Sequence, residues 1–183
     1  MPKRLRPARP RQPRFAVAWF PRFEGIARIE SFRARHDPAA SLIPAHLSLV
    51  FPFATALTRL QVESHVRRVV SRFPVIPVSF KAIRPCASEF AFLMASRGAG
   101  AITELHDRLY TRSLAPHLRR DLEYQPHITI ARHPSLDALD AAIGEARDTL
   151  GGEFRDTLRD VTLLSVAPDG RIAPLAAIPL DSA

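Results

Sequence analysis

One cysteine, Cys86, is the whole thiol complement of this 183-residue chain. That excludes an intramolecular disulfide and any cysteine-based zinc framework. Cys86 itself reads as a small core residue rather than a nucleophile. Long hydrophobic runs are missing too. The longest near the N-terminus covers residues 15–20, too short for a secretory core or a membrane span, so a cytoplasmic location is expected. Glycine is scarce, at seven residues. No glycine-rich phosphate loop, His-x-x-x-His helix motif or Gly-x-Ser-x-Gly elbow occurs, so the common sequence signs of nucleotide cradling, helix-borne zinc and the serine nucleophile are absent.

Acid is the other absence. Residues 1–14 hold Lys3, Arg4, Arg6, Arg9, Arg11 and Arg14 and no carboxylate, which accounts for +6 of the net charge of +8. The rest of the chain carries 8 − 6 = +2, so the charge is a weak argument for nucleic-acid affinity. This Pro/Arg-rich leader has almost nothing to bury and is expected to be disordered. It reads either as an RNA phosphate contact through counterion release or as a solubilising extension. The chain as a whole has ordinary globular composition, 46% hydrophobic and 24% charged, enough for one domain or two small fused lobes.

Along the body beyond the leader the apolar spacing alternates between strand and helix periods. Residues 14–20 read as a strand stopped by Pro21. A short helix comes next on Ile26, Ile29 and Phe32 and ends near Pro38. Residues 46–51 alternate as a strand bounded by Pro44 and Pro52. Thr58 and Gln61 form a capping box that opens a helix striped by Val62, Val66, Val69 and Phe73. A hairpin covers residues 75–83 and 89–95. The order then repeats, with a helix on Ile102, Leu105 and Leu109, a Pro/Arg-rich loop at 116–125, and a strand at 127–131. A helix capped by Ser135 carries Leu136, Leu139, Ile143, Ala146 and Leu150 and is stopped by Gly151 and Gly152. Strands at 158–166 and 171–180 close the chain. Such a repeat points to a duplicated chain with its two matched strands side by side at the centre, and leaves parallel and antiparallel sheets equally open.

The matched strands read His46-Leu47-Ser48-Leu49 and His127-Ile128-Thr129-Ile130. Residues i and i+2 of a strand share a face about 6–7 Å apart. Each strand therefore shows an imidazole beside a hydroxyl on one face and two apolar side chains on the other. His133-Pro134-Ser135 fits the loose triplet, but Pro134 cannot donate to a ladder and Ser135 reads as a helix cap. Opening a cyclic phosphodiester needs one group to take a proton from water and another to protonate the leaving ribose oxygen. Imidazole is suited to both near neutral pH, and hydroxyl donors stabilise the charge that develops on the phosphoryl oxygens. Two imidazoles and two hydroxyls complete such a site without a metal or cofactor.

Both quartets resemble the signature of the 2H phosphoesterase superfamily, and the layout resembles its 2′-5′ RNA ligase/RNA 2′,3′-cyclic phosphodiesterase branch. The resemblance runs over nearly the whole chain from about Arg14. It implies an α+β fold in which a basic leader (1–13) precedes a single bilobal domain (14–183), with two antiparallel sheets flanking a cleft and helices outside. It implies hydrolysis of 2′,3′-cyclic phosphates, with reversible 2′-5′ ligation as the reverse chemistry. It assigns His46 and His127 as catalytic and Ser48 and Thr129 as phosphate-binding. The expected partner is RNA or a nucleotide with a cyclic phosphate, acted on by a monomer away from membranes and without metal.

Three neighbours of the motifs have two readings each. Phe51 reads as a base-stacking platform or a core aromatic, Arg132 as a phosphate clamp or a surface arginine, and Tyr124 as a cleft wall or loop packing. His36, His65, His106 and His117 have no partner at meaningful spacing, and His65 and His106 are expected to be solvated on their helices. Other readings of the same cleft are a phosphodiesterase for small cyclic nucleotides, ADP-ribose cyclic phosphate or a phosphonate-pathway ester, and a catalytically silent RNA-end binding module.

Overall fold

The computed structural model describes residues 13–181, so of the leader expected to be disordered only Pro13 and Arg14 are described, and Arg14 is instead the first residue of a strand. Strand β1 (Arg14–Trp19) alternates Phe15, Val17 and Trp19 toward the main core with Ala16 and Ala18 toward the opposite face. Helix α1 (Ile26–His36) starts at Gly25, whose φ of 91° is the left-handed conformation that glycine adopts without a steric cost. Strand β2 (Leu47–Ala54) follows, then α2 (Arg59–Val70), whose capping box forms as the sequence indicates, with both reciprocal bonds between Thr58 and Gln61. Phe73 falls beyond α2 and Val70 completes its buried stripe. Strands β3 (Ile76–Cys86) and β4 (Phe90–Ala95) make the expected hairpin. Cys86 ends β3 half-buried at the hairpin rather than in the core. Helix α3 (Ala99–Leu109), a 3₁₀ turn (Arg112–His117) not foreseen from the sequence, β5 (His127–Arg132) and α4 (Leu136–Thr149) complete the repeat. Ser135 does sit at the N-cap of α4 but makes no side-chain cap bond.

The chain closes with three strands rather than two: β6 (Phe154–Leu158), β7 (Asp160–Val166) and β8 (Ile172–Pro179). The expected single strand at 158–166 breaks because its ends belong to different sheets. Sheet one runs β2-β1-β7-β8 and sheet two β5-β4-β3-β6, with every pairing antiparallel. Each half thus keeps its first two strands together and gives a later one away: β3 pairs with β4, and β7, after β6 has joined β3, returns to pair with β1. The α+β architecture of two antiparallel sheets with helices packed on them is as expected, but the lobes are not the contiguous halves of the sequence.

Both histidine-bearing strands are sheet edges, and their Cα atoms approach within 8 Å of one another. This edge position corrects the limit drawn at Pro52. Proline has no N–H for a ladder, yet an edge strand tolerates it on its free side, so β2 runs through Pro52 to Ala54. Its start is also later than expected, at Leu47, leaving His46 immediately before the strand.

Candidate active site

Each motif ends in a β-bulge. Between the pairs Val17–Val50 and Ala18–Ser48, β2 holds one residue more than β1, and that residue is Leu49. Between Ala91–Ala131 and Phe92–Thr129, β5 holds one more than β4, and it is Ile130. The bulges fall at the same motif position, directly after the hydroxyl residue. Bulges bend and twist a strand locally and re-aim its side chains. Here Leu49 and Val50 are both buried, as are Ile130 and Ala131, while His46, Ser48, His127 and Thr129 are half-buried.

The imidazoles are held alike. His46 Nδ1 lies 2.9 Å from the Pro44 carbonyl oxygen, and His127 Nδ1 lies 2.5 Å from that of Gln125. In each case the acceptor is two residues back, with a proline in the turn before the ring. A carbonyl can only accept, so Nδ1 carries the proton and the neutral ring keeps its lone pair on Nε2. Each ring is closely surrounded by protein atoms yet keeps part of its surface open. Burial lowers the His46 pKa below 6.5, the Pro44 bond opposes that, and Arg33 and Asp37 pull in opposite directions. Burial also lowers the His127 pKa, to about 4, against the Gln125 bond and with help from the charge of His46. A charge on His46 thus disfavours one on His127, and at His46 the effect of Arg33 exceeds the opposing effect of Asp37.

The segment before His46 is clamped by a buried ion network. The Arg33 side chain, 1% exposed, donates to Asp37 Oδ2 at 2.8 Å, to Glu30 Oε2 at 3.1 Å and to the Ile43 carbonyl at 3.1 Å. Glu30 Oε1 accepts the Ala45 N–H at 2.7 Å. Helix α1 thus fixes the backbone on which His46 stands. A groove of about 270 Å³ beside it is lined by His46, Ser48, Ala16, Ala18 and Arg14. The small alanines of β1 leave this space, and Arg14, assigned by composition to the leader's charge, contributes a cation to it.

A sequence profile described as the 2′-5′ RNA ligase superfamily matches residues 21–167. The chain belongs to this superfamily. A Halalkalibacterium halodurans protein with the provisional name phosphoesterase is 31% identical over 140 residues, covering 73% of this chain and 78% of that protein. Escherichia coli LigT, in a crystal structure complexed with 3′-AMP, matches with a TM-score of 0.60 at 20% identity, over 93% of this chain and all of that one. TT0787 of Thermus thermophilus matches with a TM-score of 0.64 at 15% identity, over 92% and 98% of the two chains. These two likenesses establish the shared fold. Superfamily membership makes the protein a phosphoesterase of the 2H type.

Within this superfamily fold the neighbouring side chains support the motif strands. Tyr124 O–H donates to the Ser48 carbonyl at 2.8 Å, His106 Nδ1–H to the Leu49 carbonyl at 2.8 Å, and Tyr110 Oη accepts the Phe51 N–H at 2.9 Å. Three side chains thereby occupy the free edge of β2 in place of a ladder. The expectation of a solvated His106 is overturned: it is 2% exposed and stacks on Tyr124, with centroids 3.6 Å apart. Burial lowers its pKa, which suits a neutral donor, and burial raises that of Tyr124, which keeps its O–H. His65 is also buried, at 1% exposure, with Nε2–H donating to the Leu109 carbonyl at 2.9 Å. Both rings belong to the apolar stripes of their helices.

Phe51 lies edge-on to His106 and Tyr124 at 6.4 Å, packed at this support. On the other sheet Phe92 stacks on His127 with centroids 3.5 Å apart. The Arg132 guanidinium sits 5.2 Å from the Phe90 ring centre and 3.2 Å from Glu89. The remaining histidines also have partners at long range. His36 Nδ1 is 3.2 Å from His133 Nε2 and its Nε2 is 2.9 Å from Glu145, tying α1 to α4, while His117 packs on Phe53. Among the described residues no group of three His, Cys, Asp or Glu converges as a metal ligand set, and no helix is long and apolar enough to cross a membrane.

Tyr124→Phe removes one donor from the Ser48 carbonyl and keeps the ring stack. The expected cost is about 1 kcal/mol, a fall in melting temperature of roughly 2–4 °C for a chain of this size. An unchanged melting curve would show that this bond does not hold β2.

Proposed function

We propose that the protein opens 2′,3′-cyclic phosphates of RNA-type substrates, with His46 and His127 as a proton-transfer pair and Ser48 and Thr129 as hydroxyl donors to the phosphoryl oxygens. The observation that carries this reading is the matched anchoring of the two rings. Each is pinned through Nδ1–H to a carbonyl two residues back, in strands whose edges approach, so each offers Nε2 for proton transfer. Water adds to phosphorus while His127 Nε2 takes its proton. The bond from phosphorus to one ribose oxygen breaks as His46 delivers its proton to that oxygen. The products are a ribose phosphomonoester and a free hydroxyl, with the proton moved from His46 to His127. A 5′-hydroxyl of a second strand in the place of water gives a 2′-5′ linkage instead. His127, lowered to about 4, stands neutral near neutral pH and is assigned as the base. That leaves His46 as the ring that carries the proton into the reaction.

All chemistry passes through side chains, so turnover of 2′,3′-cyclic mononucleotides and cyclic-ended oligonucleotides is expected to persist in EDTA. A panel of these substrates, with an acyclic phosphodiester and a cyclic ADP-ribose phosphate alongside, tests the assignment. Product from the acyclic ester alone would overturn it.

The pKa directions set the pH dependence of kcat/KM. The base is competent only when deprotonated, so activity rises with pH through about 4, the value for His127. The acid is competent only when protonated, so activity falls as pH passes the His46 value, itself below 6.5. The expected profile is a bell with its maximum on the acid side of neutrality, both limbs belonging to the coupled pair. A bound phosphate anion favours the protonated rings and shifts the kcat profile upward. A kcat/KM that rises monotonically to high pH would exclude a protonated histidine as the acid.

A further inference from the structure

A second, larger cavity lies away from the paired histidines. The C-terminal turns of α2 and α3 flank a groove of about 590 Å³ that shares no lining residue with the groove of His46 and Ser48. Arg68 and Arg72 come from one wall, Arg108 and Arg112 from the other, and Glu104 is the one acid in the lining. The lining therefore carries 4 − 1 = +3, whereas all of residues 15–183 together carry only +2. Helix C-termini attract cations, each bringing about half a negative charge. Two such termini offset only about one of these three charges. Arg108 lies 3.8 Å from Glu104, and among the described residues Arg68, Arg72 and Arg112 form no ion pair. These exposed guanidiniums converge on one groove, where an anion would meet several cations and one carboxylate.

Two further features set this groove apart. Arg112 has φ of 50°, a left-handed conformation that a branchless glycine takes easily and an arginine does not. His65, in the groove lining, has its Nε2–H bonded to the Leu109 carbonyl, and its Nδ1 is the one buried side-chain polar atom without a partner among the described residues. Phe73, Val69 and Pro74 add an apolar wall beside the arginines. Cationic forks next to an apolar wall suit a ligand with both phosphates and a ring.

We propose that this groove is a binding site for a multiply charged phosphate ligand of about nucleotide size, separate from the cleft between the two sheets. The planar guanidinium takes phosphate oxygens in bidentate fashion, and the volume lies within the range of small-molecule sites. Adjacent phosphates are the shared chemistry of a free polyphosphate-bearing nucleotide and of a nucleotide within an RNA strand.

The test is calorimetric binding of tripolyphosphate, ATP and a 3′-hydroxyl hexaribonucleotide to the full chain at fixed low salt. Wild type, Arg68→Gln/Arg72→Gln and His46→Ala/His127→Ala are compared, with melting curves to verify the fold of each. Wild type is expected to bind tripolyphosphate, the arginine variant to bind it at least about tenfold more weakly, and the histidine variant to bind it within twofold of wild type. Binding of ATP with none of the hexaribonucleotide identifies a free nucleotide, and hexaribonucleotide binding weakened in the arginine variant identifies a strand. No tripolyphosphate binding by wild type, equal affinity in the arginine variant, or loss of binding in the histidine variant would overturn the proposal. The last result would place the anion between the catalytic rings.

Discussion

His46→Ala and His127→Ala are each expected to lower kcat/KM for a 2′,3′-cyclic nucleotide by roughly 10²–10⁴-fold, the range for loss of one proton-transfer group. The double variant should lose much less than the product of the two, because neither ring completes the reaction without the other. The two singles should also differ in pH profile. Without His127 the limb that rises through about pH 4 disappears, and without His46 the falling limb disappears. Ser48→Ala and Thr129→Ala remove one charge-stabilising donor each and are expected to cost less than either histidine, within roughly 10–10³-fold. EDTA should leave every variant unchanged. Substantial turnover by the double histidine variant, or dependence of wild type on an added divalent ion, would remove the proton-transfer assignment.

The largest effect on stability is expected at Arg33, which touches no reacting atom but anchors the segment that leads into His46. Its side chain is 1% exposed and joins Asp37, itself 3% exposed, to Glu30 and to the Ile43 carbonyl. Arg33→Met keeps much of the volume but strands the Asp37 carboxylate in the interior. Breaking a buried pair from one side costs about 3–5 kcal/mol, or roughly 6–20 °C in melting temperature for a chain of this length. The variant should also lose activity at temperatures where it remains folded, since Ile43 and Ala45 lead directly into His46. A melting curve superimposable on that of wild type would show that the network contributes nothing. Full activity in a destabilised variant would show that it stabilises the fold without placing the ring.

The quartets at His46 and His127 were legible because each compresses its meaning into four consecutive residues, and a period of two needs no tertiary information to be read. The bulges that end them were marked as well. Leu49-Val50 and Ile130-Ala131 are adjacent apolar pairs, and a strand with one buried face has room for such a pair only where an extra residue interrupts the alternation. The burial of His65 and His106 also left a trace. His65 sits between Val62 and Val66, and His106 follows Ile102 by four residues and precedes Leu109 by three, inside the stripes that define the helices. A histidine on that face must either meet a carbonyl or stay wet, and the acceptors, the carbonyls of Leu109 and Leu49, are 44 and 57 residues away. The links from His36 to His133 and Glu145 were illegible for the same reason, as was the exchange of strands between the halves. Local spacing says that a segment is a strand and which of its faces is wet. It carries no information on which sheet the strand will join.

That exchange has a consequence for ancestry. The first half alone, ending with β3, would hold β1 and β2 with the side of β1 that meets β7 left bare, and β3 without β4. Such a half cannot close its own sheet, but a second copy could close it by reciprocal strand donation. Two copies assembled in that way form a twofold dimer whose symmetry axis brings together two identical histidine-bearing edges. The single polypeptide is built like a tethered homodimer, in which the two copies of the histidine quartet are free to differ. Serine in one quartet and threonine in the other, and the carbonyls of Pro44 and Gln125 as the two imidazole acceptors, are differences that two copies of one sequence could not have held.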